Sequence, residues 1–187
     1  MTNSPPTDQE LADSIDQLFK VAHESAVFEF WSMVKGPILR RLKEWDIGDA
    51  EYLFANAFHE NSLLLIRKTA EFFKKRVKDD KNDTLYAYRY LPNCSFDPVV
   101  EENEYKELHK RVGHITIREI RYGSRAWEIQ SLTIQSIKTW LDFFEKVEAS
   151  PVFGSNPPTE RLQDYVVTLH DILETCVKRQ ASSIKPE

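Results

Sequence analysis

The stretch from Asn56 to Phe73 limits what this chain can fold into. It holds neither Gly nor Pro, and its neighbours on both sides also favour helix, so Ala50 to Lys78 reads as one long helix. At ~100° per residue, Asn56, Glu60, Leu63 and Arg67 fall on one stripe within about 60° of each other. Phe54, Ala57, Phe58, Leu64, Ile66, Ala70, Phe72 and Phe73 cover much of the remaining surface. A helix this apolar is expected to be central and buried on several sides. A polar stripe on such a helix needs partners, because an unpaired buried charge is costly. Two arrangements meet that need: a hydrogen-bond network that fixes helix register, or a site that Arg67 faces.

The flanking sequence supplies further helices. Thr7 followed by Glu10 has the spacing of a capping box. Leu11, Ile15, Leu18, Phe19, Ala22, Ala26 and Phe30 then recur at helical steps, which predicts a first helix to about Val34. Gly36-Pro37 breaks it, a second helix covers Ile38 to about Trp45, and Asp49 caps the central helix. The charge run Lys74 to Asp83 nearly cancels in sign and reads as a solvated loop. Thr84 to Pro98 reads as an ordered loop with one short helical turn; its tyrosines either pack it onto the bundle or stack bases.

Later helices are predicted over Val99 to about Thr116, Arg125 to Ala149, and Thr159 to about Arg179. The β-branched run from Ile115 to Tyr122 favours extended chain after His114, and Pro151 to Pro158 is a loop. No strong strand and no internal repeat stands out. The predicted architecture is all-α: a single-domain bundle of about five helices over residues 8–180, with a disordered tail at 1–7 and a flexible one at 181–187.

Composition removes several function classes. The 187 residues suffice for one domain, and a formal net charge of −5 makes the surface as a whole uninviting to nucleic acid. Cys94 and Cys176 are the only cysteines, which predicts a reduced, cytoplasmic chain without structural zinc. Met1 to Glu10 is polar, so no secretion leader is expected, and no apolar run is long enough to span a membrane. The few glycines are scattered, which excludes a P-loop. His59-Glu60 is not a zincin site, because Leu63 stands where a second His is required. Neither a cofactor nor a metal is predicted.

One segment departs from the acidic average. Lys106, Lys110, Arg111, Arg118, Arg121 and Arg125 outnumber Glu107 and Glu119 between Lys106 and Arg125, and His109 and His114 lie among them. Such a segment either binds phosphate or pairs with the acidic faces of neighbouring helices. Cations lower the pKa of a nearby His, so His114 is a candidate neutral base near pH 7.

Asn56-Ala57, Glu60, Arg67, Phe72-Phe73, Leu91-Pro92, the run His109 to Thr116, and Trp127 together resemble bacterial helical proteins related to HEPN domains (higher eukaryotes and prokaryotes nucleotide-binding). The resemblance covers about residues 50–147. It implies a helical bundle that often dimerises, and in many members a metal-independent ribonuclease of toxin–antitoxin or phage-defence systems. Other members bind RNA or nucleotides without catalysis, or act as scaffolds. The family's catalytic His matches His114 by its place at a helix end. The family's Arg stands about two turns earlier, where this chain has Glu107, Leu108 and His109.

Two functions follow from the resemblance. In one, a dimeric RNA-directed protein uses His114 as base, with Arg67 and Lys110 or Arg111 stabilising the phosphoryl charge. Lys106, His109, Arg118, Arg121 and Arg125 then contact RNA, and a protein partner such as an antitoxin is expected. In the other, a non-catalytic interaction or scaffold module holds His114, Arg67, Glu60 and Asn56 in a buried polar network.

Overall fold

The computed structural model describes residues 6–26, 37–38, 40–41, 44, 50–74, 85–111, 128–150 and 159–183; for 50–56, 110–111, 159–160 and 183 it describes the backbone alone. Six helices are assigned among the described residues: α1 Asp8–Glu24, α2 Ala50–Phe72, α3 Ala87–Tyr90, α4 Glu102–Arg111, α5 Ile129–Glu148 and α6 Thr159–Ser183. Helical backbone also occurs at 38, 40–41 and 44, within the expected second helix, and already at Pro37, which was expected in the break before it. No strand occurs among the described residues, so the fold is an all-α bundle. None of the described helices is long and apolar enough to cross a membrane.

Helix α1 begins at the predicted capping box. The Thr7 hydroxyl accepts from the Glu10 N–H at 3.3 Å, and the Glu10 carboxylate accepts from the Thr7 N–H at 2.8 Å. Leu11, Ile15, Leu18 and Ala22 face inward. The helix ends at Glu24, short of the predicted Val34. Ser25 donates both its N–H and its hydroxyl to the Val21 carbonyl, and the Ala26 N–H closes a tighter turn on His23 at 3.1 Å.

Helix α2 contacts α1, α4 and α5, as expected of a central helix, but its described side chains leave one arc open to solvent. Ser62, Leu63, Leu65, Ile66, Thr69 and Phe72 are buried, and at ~100° per residue they span roughly half the circumference. Ala57, Glu60, Asn61 and Lys68 are exposed. The apolar residues that seemed to surround the helix are more than its neighbours cover, because each packed helix shields only one arc. The helix also stops at Phe72 rather than Lys78. Phe73 turns into the aromatic core, where it meets Phe96 at 5.1 Å and Trp140 at 4.8 Å. Tertiary packing there overrides the helix preference of Lys74, and residues 75–78 of the expected helix lie outside the described residues.

Two buried clusters hold the bundle. In the larger, α1, α5 and α6 close around Trp140, Phe143 and Phe144, with Phe72 stacked on Trp140 at 4.8 Å. The Trp140 indole N–H donates to the Thr69 hydroxyl at 3.0 Å, and that hydroxyl donates to the Leu65 carbonyl at 2.9 Å. Every polar atom of this buried contact is therefore satisfied. In the smaller cluster, Leu63 and Ile66 of α2 join Val99, Val100, Leu108 and Ile129. Burial of Val99 and Val100 in bends explains why α4 starts at Glu102, later than the sequence predicts.

Helix α5 packs along α6. A polar joint ties α6 to α1: Asp16 accepts from Arg161 at 2.6 Å and from the Tyr165 hydroxyl at 2.7 Å, and Phe19 stacks on Tyr165 at 3.8 Å. Helix α6 continues to Ser183, through residues 181–183 that were expected in the tail. Gln180 and Ala181 are good helix formers, and no breaker stands before Pro186.

Candidate nucleic-acid interface

The expected site draws on α2, α4 and the chain after α4. Arg67, Glu71 and Lys74 follow one another at four- and three-residue steps, so they share a stripe along the last turns of α2 and just past its end. Tyr105 and His109 share a stripe on α4 by the same rule. These two stripes meet. The Lys74 ammonium lies 4.8 Å from the centroid of the Tyr105 ring, a cation–π contact. The His109 ring lies 6.0 Å from the same ring at an angle of 28°.

Tyr105 sits half-buried at the edge of the smaller core cluster. Burial pushes its phenol above the ordinary tyrosine range; the Glu71 carboxylate adds to the rise and the Arg67 guanidinium opposes it. Arg67 and Glu71 therefore both act on Tyr105, and the last turns of α2 face α4. Glu102, in the first turn of α4, accepts from Lys106 at 2.9 Å. That bond and the charge of Lys106 hold the Glu102 carboxyl below its usual range, with a smaller pull from Lys74.

The sequence-predicted residues divide into three groups. Arg67, Lys106 and His109 lie on the adjoining helices α2 and α4; Arg67 is half-buried and the other two are exposed. Lys110 and Arg111 belong to the last turn of α4, and Asn56 belongs to α2, with only the backbone described. His114, Arg118, Arg121 and Arg125 lie outside the described residues. The buried network expected around Glu60 needs correction: Glu60 is exposed, because it lies on the side of α2 that also carries the exposed Ala57, Asn61 and Lys68. Solvent supplies its partners there, so it needs none in the core.

Sequence reasoning missed Tyr105 and Lys74. Tyr105 carries no charge that sets it apart in the sequence, and Lys74 falls in the charge run that reads as a solvated loop. The available signal was the spacing of an aromatic ring and a His by four residues. The tyrosines of the loop before α4 have the structural role instead. Tyr86 and Tyr90 are buried, the Tyr90 ring packs edge-on against Phe143 at 5.5 Å, and its hydroxyl hydrogen-bonds the Ser14 hydroxyl.

Comparison of the chain with protein-family models, with curated proteins and with solved structures gave no significant match.

Proposed function

We propose that this chain is a cytoplasmic, RNA-directed, HEPN-like protein that works as a homodimer and cleaves RNA without a metal. The observation that carries the proposal is the meeting of the end of α2 with α4: Arg67 shares a stripe with Lys74, whose ammonium lies 4.8 Å from the Tyr105 ring centroid, and Tyr105 shares its helix with Lys106, His109, Lys110 and Arg111. A half-buried guanidinium beside a cation-bearing helix suits a phosphoryl group that gains charge during reaction. The exposure of Glu60 counts against the alternative of a sealed, purely structural network.

In the proposed reaction His114 takes the proton from a ribose 2′-OH. The 2′ oxygen bonds to the adjacent phosphorus, and the bond from phosphorus to the 5′ oxygen breaks. The leaving oxygen takes a proton from water, and a cyclic phosphate remains. Arg67, with Lys110 or Arg111, offsets the charge on the phosphoryl oxygens. Arg118, Arg121 and Arg125 hold the flanking backbone, and DNA, which lacks the 2′-OH, is spared. A toxin–antitoxin or phage-defence setting, with a protein partner that restrains cleavage, fits this activity.

The test is purified protein with mixed RNA in chelator, wild type beside His114→Ala. Wild type should leave cyclic phosphate ends, and the variant should still bind RNA but cut about 10²–10⁴-fold more slowly. Intact RNA in both lanes at high protein concentration would retire the ribonuclease. Absence of RNA binding at low salt would retire the RNA-directed function altogether.

A further inference from the structure

Tyr105 is held from several sides. Its ring edges the smaller core cluster, the Lys74 ammonium lies 4.8 Å from its centroid, and the His109 ring follows at 6.0 Å and 28°. His109 itself is exposed, so the imidazole has surface open to water. A flat, exposed ring backed by a fixed aromatic ring is what an unpaired base needs, because every base has a π face and stacking is tolerant of sequence. A phosphate would follow each base along a strand. Lys106, three residues before His109, is exposed and paired with an exposed Glu102. An exposed ion pair is weak, so a phosphate can replace Glu102 at little cost.

We propose that His109, backed by Tyr105 and Lys74, is a stacking step for one unpaired base of single-stranded RNA, with Lys106 receiving the adjacent phosphate. The proposal rests on the RNA-directed function above and adds to it the strand type and the base contact. A duplex keeps its bases stacked on one another and offers this step nothing.

The test uses the full chain and two labelled 12-residue probes, oligoadenylate and an abasic ribose-phosphate of the same length, followed by fluorescence anisotropy at one fixed salt concentration. Wild type should bind oligoadenylate more tightly than the abasic strand, on the order of tenfold. His109→Ala should bring the ratio close to one, and His109→Phe, which keeps an aromatic ring without the ring nitrogens, should restore it. Because His109 is exposed, both variants should melt as wild type does. Equal binding of the two probes by wild type would overturn the stacking step and leave an RNA protein that reads phosphate alone. A preference that survives His109→Ala would also overturn it. Failure to bind either probe would remove both the stacking step and the RNA-directed function.

Discussion

The indole of Trp140 is fully buried, and its N–H has one acceptor, the Thr69 hydroxyl at 3.0 Å. Thr69→Val keeps the shape and removes that acceptor. The stranded N–H should cost about 1–3 kcal/mol in a denaturant titration, because a buried donor without a partner loses its hydration uncompensated. Ile66, equally buried, carries no such bond, and Ile66→Val should cost only about 0.5–1.5 kcal/mol. Equal small losses would show that the Trp140 bond contributes nothing. A contrasting case lies on α5, where the buried Thr133 and Ser136 hydroxyls have no hydrogen-bond partner among the described residues.

At the scale of elements, α1 is held at its start and along its length by different physics. The Thr7–Glu10 box is fully exposed and local, and it sets where the helix begins. The Asp16–Arg161–Tyr165 joint is non-local and sets which helix α1 meets. Burial pushes the Tyr165 phenol from 10.0 up to about 12, helped by its hydrogen bond to Asp16 and by that carboxylate's charge. The folded state favours the protonated phenol, so this contribution is fully present below about pH 10 and is lost as pH rises towards about 12. Tyr165→Phe keeps the ring that stacks on Phe19 but cannot ionise. Its melting temperature should fall less between pH 9 and pH 11, by order-of-magnitude titration limits, than that of wild type. Parallel declines would show that Tyr165 is not linked to folding.

Across the whole molecule, the larger aromatic cluster binds α1, α5 and α6, while α4 is held chiefly through the smaller one. Leu108 is the fully buried anchor of α4. Leu108→Ala should destabilise by about 2–5 kcal/mol, as cavities in cores do. Hydrogen exchange should quicken across Glu102–Arg111 more than across Asp8–Glu24, because few other buried contacts hold α4 among the described residues. Uniform quickening would mean that the bundle opens only as one unit. If α4 is the RNA-binding helix, its anchor also governs binding, and the same variant should bind single-stranded RNA more weakly than wild type.

Helical class, the capping box of α1, the inward residues of α1 and the contacts of α2 with α4 and α5 were legible in the amino-acid order. They depend on periodicity and on neighbours three and four residues apart, which a chain carries wherever it goes. The ends of α1 and α2 were not legible: Phe73 leaves its helix for ring contacts with Phe96 and Trp140, residues far away in the chain. The same limit applies to the candidate site. Arg67, Lys106 and His109 could be named from charge and spacing, and the four-residue spacing of Tyr105 and His109 was a local signal, but Lys74 could not be joined to them, since the end of α2 meets α4 only through packing. Nor could Glu60 be told from a buried residue, because sequence records that a helix has apolar sides and only the packed neighbours decide which of them water reaches.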